Sequence, residues 1–332
     1  MDRVPTAELE VLEKANSREV RARLREKVLR LKKERNAYIV AHNYQNYEVQ
    51  EVADILGDSL ALSKAAIGTG SDVIVFCGVD FMAESAKILN PGRTVLLPVR
   101  EADCPMALMV TPERLRAAKA EHPDAAVVCY VNSSAAVKAE SDIACTSSNA
   151  VQIVKSLPHK KILFVPDKNL GHYVQRFCPE KEIVLWKGFC TTHIRITAAD
   201  VLAMKARYPG APFIAHPECP PEVIDQADHV CSTSGFSPYI GRSKADTFII
   251  GTEVGMIFKL KKDHPEKRFV MPTEQFVCQT MKMTTLGWVA HALEVMEHKI
   301  EIPEDVRVRA EKCLRRMMDV SNDHPNTVIA SY

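Results

Sequence analysis

Cys104, Cys190 and Cys278 stand 86 and 88 residues apart, each after a short apolar run and a loop. Thiolates are soft ligands suited to iron–sulfur clusters and zinc. Zinc ribbons and ferredoxins draw their cysteines from tight C-x-x-C pairs, and this chain has none. If the three loops converge, three thiolates at one vertex suit a [4Fe–4S] cluster with one iron free of protein ligands, an open Lewis acid for substrate oxygens. A Cys₃ zinc site fits the same count. The other seven, Cys77, Cys129, Cys145, Cys178, Cys219, Cys231 and Cys313, read as small buried hydrophobes. Cys145 and Cys219 lie close enough to polar motifs to serve as reserve ligands.

Four further sets share nearly the same step. His42, Tyr130 and His216 are separated by 88 and 86 residues, and so are Tyr44, Asn132 and Glu218. Ser59, Ser147 and Thr233 repeat that spacing, as do Met82, Leu170 and Met256. All sit just past apolar runs, where packing alone does not call for polar side chains. Two histidines at equivalent places beside a tyrosine and a glutamate read as substrate ligands and proton carriers. The motifs GDSLALS, CTSSNA and STSGFS place a hydroxyl where a helix should begin. One such residue is ordinary N-capping. Three at a common centre, with Gly235 permitting close approach, would form a cradle for phosphate or carboxylate on helix N-termini. No GxxxxGK[ST], GxGxxG or nucleophile elbow occurs, so neither a nucleotide fold nor a serine hydrolase is indicated.

These residues need elements to carry them. Ten short apolar runs read as strands: Tyr38–Ala41, Val73–Phe76, Val95–Leu97, Val127–Tyr130, Ile162–Val165, Ile183–Leu185, Phe213–Ala215, His229–Cys231, Phe248–Ile250 and Phe269–Met271. Continuous β-branched and aromatic runs are the mark of parallel strands buried on both faces. Helices are expected between them, including Glu48–Ile67, Phe81–Leu89 and Pro112–Ala120. A repeat of this length is too long for a thin solenoid and suits a small αβα domain. The expected fold is therefore α/β, with three similar αβα domains, each holding a small parallel sheet, about a pseudo-threefold axis. Because ligands bind at the carboxyl ends of parallel strands, the active site is expected at the centre. The boundaries are an N-terminal helical segment over 1–34, repeats over 35–110, 111–198 and 199–286, and a C-terminal helical segment over 287–332 packing on the body. Val20, Leu24, Val28 and Leu31 give the first segment its apolar stripe, and Trp288 to Val320 reads similarly.

Bulk properties exclude several classes. The 332 residues hold 43 Lys plus Arg against 42 Asp plus Glu, so no charge excess favours nucleic acid or anionic membrane. The composition, 46% hydrophobic and 26% charged, is that of a soluble globular protein of two or three domains. The opening MDRVPTAELEVLEK lacks the apolar core of a secretory leader, and no apolar run is long enough to span a membrane. A cytoplasmic location is expected, and in that compartment ten cysteines are not a disulfide framework.

The motifs AHNYQ, GDSLALSK, GVDFMAESAKILNP, CPMA, CYVNSSAAVKAESD, CTSSNA, PDKNLGHYV, WKGFCTTH, HPECPPEV, STSG, GTEVGM and CQTMKMTTL occur in this order between Tyr38 and Leu286. Together they resemble the quinolinate synthase family of NAD biosynthesis. The resemblance implies three related αβα domains and one [4Fe–4S] cluster per chain, held by Cys104, Cys190 and Cys278. It implies condensation of iminoaspartate with dihydroxyacetone phosphate to quinolinate, phosphate and water, a transferase reaction with the open iron as Lewis acid. The family's active-site positions fall on His42, Tyr44, Ser59, Tyr130, Asn132, Ser147, His216, Glu218 and Thr233. Of these, Glu218, Tyr44 and His216 are expected to carry protons, and the rest, with His216 and Glu218, to bind substrate. The partners implied are these two small molecules, with room for a functional link to L-aspartate oxidase and none for nucleic acid or membrane. Some family members carry C-x-x-C-x-x-C at the third ligand, but Pro272 and Gln275 occupy the two earlier places here, so redox control through that run is not expected. Two readings of another kind stay open: a different metal-dependent hydro-lyase or aldolase acting on a phosphorylated carbonyl substrate, and a non-enzymatic iron–sulfur sensor.

Overall fold

The structure is a computed structural model that describes residues 18–323. The start of the N-terminal segment, with its leader reading, and the tail beyond Asp323 lie outside the described residues. Among the described residues, twelve strands form three four-stranded sheets, all parallel. The first holds β1 (Ala37–His42), β2 (Ile55–Gly57), β3 (Val73–Cys77) and β4 (Thr94–Leu96). The second holds β5 (Ala125–Tyr130), β6 (Ile143–Cys145), β7 (Lys161–Val165) and β8 (Glu182–Leu185). The third holds β9 (Phe213–Ala215), β10 (His229–Val230), β11 (Thr247–Gly251) and β12 (Arg268–Val270).

The repeat survives down to hydrogen-bond register. Each sheet has the same order: β2-β1-β3-β4, β6-β5-β7-β8 and β10-β9-β11-β12. Val40 pairs with Ile55, Val128 with Ile143 and Ile214 with His229, 15 residues on in each case. Ala37 pairs with Val73, Ala125 with Lys161 and Phe213 with Ile249, 36 residues on. A single slip would turn every side chain of a strand to the other face, so shared registers mean shared faces.

A side-chain clasp recurs with them. Asp54, Asp142 and Asp228 each precede the second strand of their sheet, stepping by 88 and 86 residues. Their carboxylates accept the backbone N–H of Ile39, Val127 and Phe213 at 2.8, 2.8 and 2.7 Å. Their own N–H groups return a bond to the carbonyls of the same residues at 2.8, 3.1 and 2.9 Å. The clasp extends a very short strand pair by one more rung. Asp142→Ala should leave the buried Val127 amide without its acceptor and cost about 1–3 kcal/mol, read as a lower urea midpoint. An unchanged midpoint would show that the clasp is decorative.

Two sequence expectations need correction. Ten strands were expected, and the structure adds the short edge strands β2 and β6. The expected helix Glu48–Ile67 is interrupted by β2, leaving helices Tyr47–Val52 and Ser59–Gly68. Edge pairing of Ile55–Gly57 with β1 overrides the helical propensity of that run.

The chain divides into two compact units. One takes the chain up to Asp103 with Gln279–Glu301; the other takes Cys104–Cys278 and the chain from Ile302. In the first, helix Arg18–Glu34 lays Val28 and Leu31 against Ile39, Ala41, Val73 and Val75, and helix Leu286–Val295 adds Val289 and Leu293 to the same core. In the second, Val127, Cys129, Leu163 and Val165 form one core beneath Leu115 and Val137. Phe213, Ala215, Ile249, Val201 and Phe276 form another. Helix Glu304–Asp323 packs on β6 and helix Ala135–Ala139. The stretch read as one C-terminal helical segment is thus two helices, one in each unit. No described helix is long and apolar enough to cross a membrane.

Candidate active site

Within the second unit the three cysteines come within electrostatic reach of one another. The Cys190 thiol is pushed well above its ordinary pKa by burial, by the Glu218 charge and by the thiolates of Cys104 and Cys278. Soft thiol donors gathered in this way are the ligands an iron–sulfur core takes. The donor set therefore fits such a group.

The loops that carry the cysteines are pinned alike. Two residues before each cysteine, a carbonyl accepts an N–H from the turn after the sheet's third strand. These bonds are Asp80 to Ala102 at 2.9 Å, Lys168 to Gly188 at 2.9 Å and Val254 to Phe276 at 2.8 Å. The second is so close that a Cβ on Gly188 would stand 2.3 Å from the Pro166 carbonyl oxygen, so only glycine fits there.

Glu218 lies at the centre of the polar network and is almost fully buried. One carboxylate oxygen accepts the Tyr130 hydroxyl at 2.7 Å. The other lies 2.8 Å from His193 Nδ1, which is also 3.2 Å from the Cys190 sulfur. His193 Nε2 meets the Thr252 hydroxyl at 3.0 Å, and its ring stacks on His216 at 4.7 Å. Burial opposes the Glu218 charge, but the His216 and His193 imidazoles and the Tyr130 hydroxyl outweigh it, holding the carboxyl well below its ordinary value. Asp167 moves the other way. Burial first, then the Glu218 charge, push its carboxyl well above the usual range. One negative charge settles on Glu218, where the donors converge.

His216 accepts the Glu218 N–H at Nδ1, 3.3 Å away. In the neutral ring this leaves the proton on Nε2, which faces the Ser147 hydroxyl at 3.2 Å. The same turn recurs in the first unit, where His42 Nδ1 accepts the Tyr44 N–H at 3.2 Å and the two rings meet edge-on at 4.5 Å. Repeated turn geometry thus fixes the tautomer of both histidines. Asn132 follows β5, and its buried Oδ1 has no hydrogen-bond partner among the described residues. An amide oxygen left this way at a strand end suits a substrate donor.

The structure thus brings together Cys104, Cys190, Cys278, Tyr130, Ser147, His216 and Glu218. Ser59 and Thr233 open helices Ser59–Gly68 and Thr233–Arg242. The cap of the first is Asp58, which accepts the Ala61 N–H at 2.9 Å. Gly235 has a plainer reason than ligand approach, since its Cβ would stand 2.6 Å from the Cys231 Cβ. Cys145 and Cys219 are fully buried. Burial pushes both thiols up, and the Cys219 sulfhydryl lies 3.5 Å from the Gly251 carbonyl. His193, Thr252, Asp167 and Glu253 were not singled out in the sequence. For His193 the available signal was the CTTH spacing, a histidine three residues past a candidate ligand.

A family profile described as quinolinate synthetase A protein matches residues 26–319. A quinolinate synthase from Methanoregula boonei is 54% identical over 297 residues, 90% of this chain and 98% of that protein. Quinolinate synthases from Geobacter metallireducens and Alkaliphilus metalliredigens are 53% and 51% identical, over 90% and 89% of this chain and 98% and 97% of theirs. The likeness runs through all three sheets, the three cysteine loops and the histidine turns, and on it the chain belongs to the quinolinate synthase family.

Proposed function

We propose that the chain condenses iminoaspartate with dihydroxyacetone phosphate to give quinolinate, inorganic phosphate and water, with one [4Fe–4S] cluster held by Cys104, Cys190 and Cys278. The observation that carries this is the network in which Tyr130, His193 and His216 converge on Glu218 beside Cys190. Held by three thiolates, the cluster supplies an open Lewis-acid iron for a substrate oxygen.

The chain's own residues bind, orient and move protons. Glu218, ionised and fully hydrogen-bonded, is the base that accepts a proton as the C–C bond forms and water is lost. His193 and Tyr130 hold that carboxylate in place. His216 presents its Nε2–H together with the Ser147 hydroxyl, a donor pair for a carboxylate or carbonyl oxygen. Asn132 Oδ1 accepts from the imine nitrogen or a hydroxyl. In the first unit, His42 and Tyr44 meet edge-on just past β1 and Ser59 opens a helix, groups suited to binding a carboxylate or phosphate, as Thr233 is at its own helix start in the second. The imine is unstable in water, which fits direct supply by an L-aspartate oxidase.

A second reading has one specific observation in its favour. Ligand atoms of Cys190, His193 and Glu218 all lie within 4.8 Å of one another, a spacing a single zinc or iron ion could use in a hydro-lyase or aldolase. Anaerobic analysis separates the two, because a mononuclear metal arrives without acid-labile sulfide. For the activity itself, the chain should form quinolinate when incubated anaerobically with aspartate, an aspartate oxidase and dihydroxyacetone phosphate. No quinolinate from protein with full iron and sulfide would overturn the proposal.

A further inference from the structure

The turn after the third strand of each sheet carries one further equivalent position, three residues before Met82, Leu170 and Met256. It holds Val79, Asp167 and Glu253. In the second and third sheets this is an acid, and both acids are fully buried. Isolated buried carboxylates are costly, so two of them at matched places have work to do.

Glu253 divides its oxygens between two backbone amides. Oε2 accepts the Gly255 N–H at 2.6 Å within its own turn. Oε1 reaches across to accept the Cys278 N–H at 3.1 Å. Asp167, one methylene shorter, spends Oδ1 on the Asn169 and Leu170 N–H groups at 2.7 and 2.9 Å, capping helix Lys168–Gln175. Its Oδ2 has no hydrogen-bond partner among the described residues, so Asp167 makes no such reach to Cys190. At the first sheet Val79 offers no carboxylate. The backbone bonds two residues before the cysteines are common to all three loops, so Glu253 adds something those bonds lack: a hold on the cysteine residue itself.

We propose that Glu253 is a positioning residue that fixes Cys278 as a cluster ligand by holding its backbone amide. The inference rests on the ligand assignment above. An amide fixed in space fixes the direction of the Cα–Cβ bond, so the thiolate meets the iron without the loop having to be ordered on binding. Partners that orient a ligand without touching the metal typically change its affinity by about 10–100-fold.

The test uses the full-length, cluster-loaded protein under anaerobic conditions. Iron release to a ferrous chelator is followed for wild type, Glu253→Ala, Glu253→Gln and Cys278→Ser, beside visible circular dichroism, which reads how the thiolates are arranged about the cluster. Glu253→Ala should release iron about 10-fold faster or more and alter the visible dichroism. Glu253→Gln, which keeps one oxygen able to take the Cys278 amide, should release it more slowly than the alanine variant. Wild-type release and dichroism in Glu253→Ala overturn the inference, provided Cys278→Ser loses its iron. If Cys278→Ser keeps its iron, the ligand assignment falls instead. Should the alanine variant not fold, hydrogen exchange at the Cys278 amide of wild-type protein stripped of metal decides: a protected amide supports the bond to Glu253, and exchange at the rate of an unstructured chain overturns it.

Discussion

Replacing any one of Cys104, Cys190 or Cys278 with serine should strip the protein of its iron and acid-labile sulfide together, at least about tenfold below wild type, and abolish quinolinate formation. A serine hydroxyl is harder, less acidic and shorter than a thiol, and it is a poor ligand for an iron–sulfur core. The loops should hold their shape, because their backbone pins at Ala102, Gly188 and Phe276 do not involve the sulfur atoms. The three variants together say more than any one alone. A single ion on Cys190, His193 and Glu218 would be lost from Cys190→Ser but would survive Cys104→Ser and Cys278→Ser. Cys178→Ser, at a buried thiol away from the loops, serves as the control and should keep full iron and sulfide. Iron and sulfide assays of the four proteins settle the matter, and retention of both in Cys104→Ser or Cys278→Ser would dismantle the three-thiol vertex.

The repeat was the most informative feature of the sequence. Equal steps between His42, Tyr130 and His216 foretold three sheets whose orders and registers coincide. The edge strands β2 and β6 escaped, yet Asp54 and Asp142, evenly spaced with Asp228 before β10, marked where they begin. A threefold pattern also misleads where function departs from symmetry. His193 corresponds to Ala107 in the first loop and Met281 in the third, so a search for like residues at like places passes over it. Its importance lies in contacts with Glu218 and Thr252, 25 and 59 residues away. Asp167 and Glu253 were hidden similarly, since their third counterpart is Val79. The scaffold and the three cysteines follow the repeat; His193, Asp167 and Glu253 stand where the residue types of its three copies diverge.

Glu218→Gln is the second change expected to have a large effect, and it asks whether the buried charge is used. Glutamine keeps the size of glutamate and one oxygen able to accept the Tyr130 hydroxyl, but its amide group has no charge to steady His193 and cannot take up a proton. Steady-state kcat should fall by about 10²-fold or more, the usual loss on removing a general base. KM should move much less, because Ser147, Asn132 and the helix starts are untouched. Iron and sulfide should stay at wild-type levels, since the carboxylate is not a ligand of the proposed cluster. This separates the two metal readings from a second direction: were Glu218 a ligand of a mononuclear ion, metal content and turnover would fall together. A variant with full iron, full sulfide and wild-type kcat would leave the convergence of Tyr130, His193 and His216 on one carboxylate as a packing device and remove Glu218 from the chemistry.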